Sequence, residues 1–134
     1  MIPEDRTYTK NHEWVKIDAK IVRMGITRPM LDQLGPLISL ELPEPDDVMM
    51  RGFAIGTVES RGQLHEIMPP ADAMILEVNK ELEFDLDALM EDPYGDAWLM
   101  KIDVDDPDHL RNLLPPSAYK EHCQNLWGET DDDE

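Results

Sequence analysis

The sequence predicts a mainly β domain with short helices, a small sandwich or barrel, on three observations. Several short runs alternate apolar and polar residues. Clusters of Pro, Gly and Asp break those runs at short intervals. Helix-capping signatures gather at the C-terminal end. With 134 residues, the chain makes one domain and can bury roughly two-thirds of the surface its unfolded form exposes.

Residues 1–7 read as a flexible N-terminal arm, 8–127 as the domain and 128–134 as an acidic disordered tail. Alternation from Trp14 to Ile17 predicts a half-buried strand. Asp18-Ala19-Lys20 turns it and Ile21 to Ile26 returns. Thr27 is placed to cap a helix through Leu34, with Pro29 in its first turn and Gly35 ending it. Leu37 to Leu42 is a strand stopped by Pro43 and Pro45. Two runs, Ala54 to Ser60 and Ala73 to Val78, frame a central hairpin broken at Pro69-Pro70. Its tight loop is Arg61-Gly62, where Gly62 is expected to supply a positive φ.

Leu82, Leu86, Leu89 and Met90 recur at helical spacing, a pattern that belongs to core far more often than to a cofactor pocket. Ala97 to Val104 is a last strand centred on Trp98, Met100 and Ile102. Asp106 and Pro107 open a helix through Leu114, and Ser117 caps another through Trp127, ended by Gly128.

Charge narrows the function classes. Twelve basic against 30 acidic side chains give a net charge of −18. That field repels nucleic acid and anionic membranes and favours a basic protein surface as partner. Most individual carboxylates need be no more than a solvated acidic surface. Cys123 is the single cysteine, so no internal disulfide can form, as in a reducing compartment. No apolar run reaches the roughly 18 residues of a membrane span, and Met1 to Asp5 carries no targeting pattern. The expected location is cytoplasmic.

Local motifs supply no catalytic residue and no metal site. His12, His65, His109 and His122 have no ligand spacing with one another or with Cys123, so only the fold could assemble them. Cys123 follows His122 directly, and helix neighbours point about 100° apart, so no Cys–His couple follows. A buried helix-face thiol is the expectation.

Two sets of motifs resemble the glycine cleavage system H protein family. Tyr8-Thr9-Lys10-x-His12-Glu13-Trp14-Val15 looks like its amino-terminal motif. Val58 to Asn79, bracketed by Val58-Glu59-Ser60 and Glu77-Val78-Asn79, looks like its lipoyl-bearing hairpin. Gly25-Ile26-Thr27, Leu34-Gly35, Leu42-Pro43, Glu91-Asp92-Pro93-Tyr94-Gly95-x-x-Trp98-Leu99, Asp106-Pro107 and Ala118-Tyr119 fall in family order. The resemblance implies a barrel-sandwich hybrid, lipoyl-domain-like, with C-terminal helices. It also implies a lysine at the hairpin tip that holds lipoate in an amide and swings it between decarboxylase, aminomethyl-transferase and dihydrolipoyl dehydrogenase.

Here the tip reads Glu59-Ser60-Arg61-Gly62, and the resemblance makes Gly62 the vacant lipoyl position. Gly62 has no side chain to acylate, and the Arg61 guanidinium stays protonated and is a very poor acyl acceptor. Ala73 stands where the family has a glycine. Glu59 is kept, and the resemblance implies that a ligase reads it. Glu13 and Glu66 fall beside the cleft where the loaded arm docks, and a carboxylate there could hold a cationic amine. Both could equally be exposed acids in a protein full of them.

The expectation is therefore a binding or regulatory protein, not an enzyme. It would take no cofactor, since lipoate is not attachable at Gly62. It would dock through an acidic surface to a basic partner, such as an aminomethyl-transferase or lipoate-ligase relative. The alternatives are a glycine cleavage carrier subunit working in an altered way, with an acyl group on another lysine, and a small-amine sensor using the vacated cleft.

Overall fold

The computed structural model describes residues 2–19 and 21–128. Two antiparallel sheets face each other across the core. The larger is built from β1 (Thr7–Tyr8), β2 (Glu13–Asp18), β3 (Ile21–Ile26), β9 (Met100–Val104), β8 (Ala73–Val78) and β5 (Val48–Met49), side by side in that order. The smaller runs β4 (Leu37–Glu41), β6 (Gly56–Ser60), β7 (Leu64–Ile67). Neither sheet closes on itself, and the result is the barrel-sandwich expected from the motifs. Between the sheets, Val15, Met24, Ile26, Val58, Ile67, Ile75, Leu99 and Ile102 are buried in one cluster.

Local signals place α1 (Arg28–Leu34) where expected. The Thr27 hydroxyl accepts from Met30 N at 3.4 Å, Pro29 sits in the first turn, and Gly35 ends the helix at φ +77. The Leu/Met stripe is core: Leu82 and Leu89 are buried and Met90 packs against them, on a 3₁₀ turn Lys80–Phe84 and α2 (Leu86–Glu91).

Four expectations change. The runs Ala54–Ser60 and Ala73–Val78 do not pair with each other. β6 pairs with β7, Val58 opposite His65, while β8 crosses into the larger sheet against β9. Alternation identifies a strand without naming its neighbour, and the four-residue β7 is the closer partner. After Asp106 only a 3₁₀ turn forms, Pro107–Leu110. The chain is then drawn off because Leu114 makes two backbone hydrogen bonds with Tyr8, of 2.7 and 2.9 Å. The last helix, α3 (Pro116–Trp127), is preceded by Pro115 rather than capped by Ser117.

The described part of the N-terminal arm is also not loose. Arg6 stacks over Trp14 at 4.7 Å and donates to Tyr94 O at 2.8 Å, while Asp5 pairs with Lys16 at 3.2 Å. Apart from Gly128, the acidic tail lies outside the described residues. No helix among the described residues is long and apolar enough to cross a membrane.

Candidate functional site

The hairpin tip projects between β6 and β7, closed by Ser60 N donating to Gln63 O at 2.9 Å. Gln63 Nε2 reaches the carbonyl of Gln33 on α1 at 3.0 Å, which ties the tip to the helix. Arg61 and Gly62 are exposed, whereas Ser60 is buried. Gly62 does not take the positive φ expected of it: positive φ among the glycines falls on Gly35, Gly52 and Gly128. A Cβ built on Gly62 meets nothing within 4 Å. Neither backbone nor packing demands glycine there. Ala73 also has an ordinary φ and is buried on β8.

Glu59 lies on the outward face of the smaller sheet and accepts from the Ser39 hydroxyl at 3.2 Å. Register sets two outward rows across β4, β6 and β7: Ser39–Glu59–Leu64, and Glu41–Thr57–Glu66. Glu41, Glu66 and Leu64 are exposed. Three carboxylates, Glu41, Glu59 and Glu66, thus share the outward face of the smaller sheet.

Glu13 and Glu66 do meet, but not as an open pair of carboxylates. The Asn11 amide joins them, donating to Glu13 Oε2 at 2.6 Å and to the Glu66 backbone carbonyl at 2.9 Å. Glu13 is fully buried at 0% exposure, while Glu66 is exposed. The Glu13 carboxylate also accepts from the Thr9 hydroxyl and from Met68 N at 3.0 Å. Burial pushes its pKa up to about 7 against the opposing pull of these hydrogen bonds. Glu13 is therefore a clasp between the β1–β2 turn and the end of β7. It does not stand open to an incoming amine.

The fold assembles histidines that sequence spacing kept apart. His12, at φ +75, turns inward and stacks on Trp127 at 4.7 Å and on His122 at 5.4 Å, with His65 at 6.4 Å. Its Nδ1 is hydrogen-bonded to Tyr119 Oη at 2.8 Å, and the same hydroxyl bonds Thr27 Oγ1 at 2.7 Å. Burial, then His122 and His65, hold the His12 pKa down to about 4. No group of three His, Cys, Asp or Glu among the described residues is arranged to hold a metal ion. The cluster fastens α3 to the β1–β2 turn. Cys123 is half-buried against the neighbouring Tyr8–Trp14–Tyr119 cluster, less enclosed than expected. Thr9, Asn11 and Tyr119 were not singled out from sequence, although Thr9 and Tyr119 lie in the quoted motifs.

Comparison with known proteins gives the same answer at three levels. The family model described as glycine cleavage H-protein matches residues 6–126. The chain is 39% identical over 120 residues to the glycine cleavage system H protein of Staphylococcus epidermidis, covering 90% of this chain and 95% of that one. It is 36% identical over 118 residues to that of Trichormus variabilis, covering 88% and 91%. The crystal structure of a glycine cleavage system H protein from Mycobacterium marinum superposes with a TM-score of 0.82 at 35% identity, covering 93% and 99%.

These matches overturn the expectation of no cofactor, because H proteins are lipoate carriers and lipoate is the cofactor of the family. The tip itself does not fit an amide-linked arm: Arg61 and Gly62 stand at its apex, and no lysine lies between residues 21 and 79. H proteins are non-catalytic subunits that work with the other glycine cleavage enzymes, an aminomethyltransferase among them, and this chain is likewise not an enzyme. On motif, fold and overall similarity together, the chain belongs to the glycine cleavage H-protein family.

Proposed function

We propose that this H-protein-like chain docks to a component of the glycine cleavage system through the acidic outward face of β4–β6–β7, as a scaffold or regulator in the cytoplasm. The observation that carries this reading is the pair of rows Glu41–Thr57–Glu66 and Ser39–Glu59–Leu64, which set carboxylates around an exposed leucine beside the tip. The partner surface is basic, because the face and the net charge of −18 have the same sign. An aminomethyl-transferase or a lipoate-ligase relative is the partner class. Calorimetric titration with purified aminomethyltransferase at low and at raised salt tests it. Binding should weaken as salt rises, and an affinity indifferent to salt would remove the electrostatic docking.

The second reading is an altered carrier, favoured by family membership itself. It requires an acyl group on a lysine away from the tip. Lys10 is exposed in the turn just before Asn11, which contacts Glu66. Intact mass after co-expression with a lipoate ligase decides: the mass of one lipoyl group favours this reading, and its absence removes it. The small-amine sensor loses its main support because the Glu13 oxygens already hold Thr9, Asn11 and Met68.

A further inference from the structure

The edge of the larger sheet carries an apolar surface that neither the tip nor the acidic face uses. An open groove of about 340 Å³ runs between β5 and the segment leading into β6, lined by Pro43, Asp47, Val48, Ala54, Ile55 and Ile75. Ile55 N donates to Ile67 O at 2.8 Å at the base of the hairpin, so β6 separates the groove from the tip by about 15 Å.

Large apolar side chains stand out around this groove. Val48 is 66% exposed and Phe53 67%, with Met50 and Met74 also open to solvent. Val48 and Met74 are register partners across β5 and β8. Met49 between Val48 and Met50 is buried, which puts Val48 and Met50 on the same outward side.

The backbone presenting them is fixed. Phe53 N donates to Met50 O at 3.1 Å, Arg51 N donates to Asp72 Oδ1 at 2.8 Å, and Gly52 supplies the turn at φ +91. Exposed aromatic and aliphatic groups on a pinned turn cost little further ordering when a partner covers them, as at the centre of protein interfaces.

The charge around the groove selects the occupant. Asp47 lines it, Asp46 is the preceding residue, and Asp72, which accepts from Arg51 N, already has the Arg51 guanidinium at 3.7 Å. A second copy would bring the same acidic rim and the same net charge of −18 against it, an unfavourable match. We propose that the Val48–Phe53 groove is a second docking site, taking a protein partner whose contact surface has an apolar centre ringed by Lys and Arg. This rests on the reading that the chain docks to a glycine cleavage component, and it adds a contact driven by apolar burial to the ionic one.

The test titrates the full chain with purified aminomethyltransferase at raised salt, where the acidic face contributes least. Wild type is compared with Val48→Lys, Phe53→Ser and, at an exposed acid of α3, Glu121→Gln. The two groove variants should each weaken binding at least tenfold, and Glu121→Gln should leave raised-salt affinity nearly unchanged. Methyl cross-saturation from the unlabelled enzyme should fall on Val48, Met50 and Met74.

If wild type binds but the groove variants bind equally well, or saturation falls elsewhere, the groove is overturned while the docking reading stands. If wild type fails to bind at either salt concentration, both fall. A concentration-dependent dimer abolished by the same groove substitutions would make a second copy the occupant, and also overturns the proposal.

Discussion

His12 and Glu13 are chain neighbours buried in one turn, His12 against Tyr119 and Glu13 against Thr9, Asn11 and Met68 N, and burial biases both toward their neutral forms. Their effects on stability oppose each other. Glu13, raised from 4.5 to about 7, contributes stability that is full below the ordinary carboxylate pKa and is lost as pH rises toward 7. His12, lowered from 6.5 to about 4, contributes stability that is full above 6.5 and is lost as pH falls toward 4. Glu13→Gln should therefore gain about 1–3 kcal/mol relative to wild type on going from pH 5 to pH 8. Urea unfolding at both pH values measures it, and an unchanged difference would refute the assignment.

Tyr119→Phe tests the joint between α3 and the turn. The lost hydroxyl leaves His12 Nδ1 and Thr27 Oγ1 without their shared partner in a buried site. The expected cost is about 1–3 kcal/mol, read as a lower urea midpoint at unchanged m-value. A variant as stable as wild type would mean that the hydroxyl is not needed there.

Gly25 is required by close approach rather than by turn geometry. A Cβ there would lie 2.6 Å from the Trp14 indole, whose Nε1 is fixed by Pro93 O at 2.9 Å. Gly25→Ala should destabilise by about 1–3 kcal/mol and disturb the tryptophan emission spectrum. A silent substitution would show that the indole can move aside.

Gly62→Lys should behave in the opposite way. The position is exposed, has no positive φ, and offers a Cβ nothing to strike. Its stability is expected to stay within about 0.5 kcal/mol of wild type. A large drop in thermal midpoint would reveal a constraint on the tip that the backbone does not show.

Much of the fold was legible because its signals are local. Thr27, Pro29 and Gly35 define α1 within a single turn at each end, and the pairing of β2 with β3 runs from Glu13 opposite Ile26 to Asp18 opposite Ile21. Pairing is not local, and there the reading failed: Ala73–Val78 alternates as a strand should, but its neighbours are Met100–Val104 and Val48–Met49. The site divided in the same way. Glu13, Glu66 and the tip were visible as residue types in a motif. The burial of Glu13 depends on Asn11, Thr9 and Met68 N, and the histidine cluster depends on the left-handed backbone of His12. Composition and spacing carry no trace of either.

The split of the central motif between two sheets has a practical reach. β6 and β7 end in an apex that touches the rest of the domain through Gln63 and Gln33, while the returning strand β8 is anchored in the other layer. The apex is therefore a graft point: a longer loop, a fluorophore or a foreign recognition sequence could replace Arg61-Gly62 without unseating the six-stranded wall behind it.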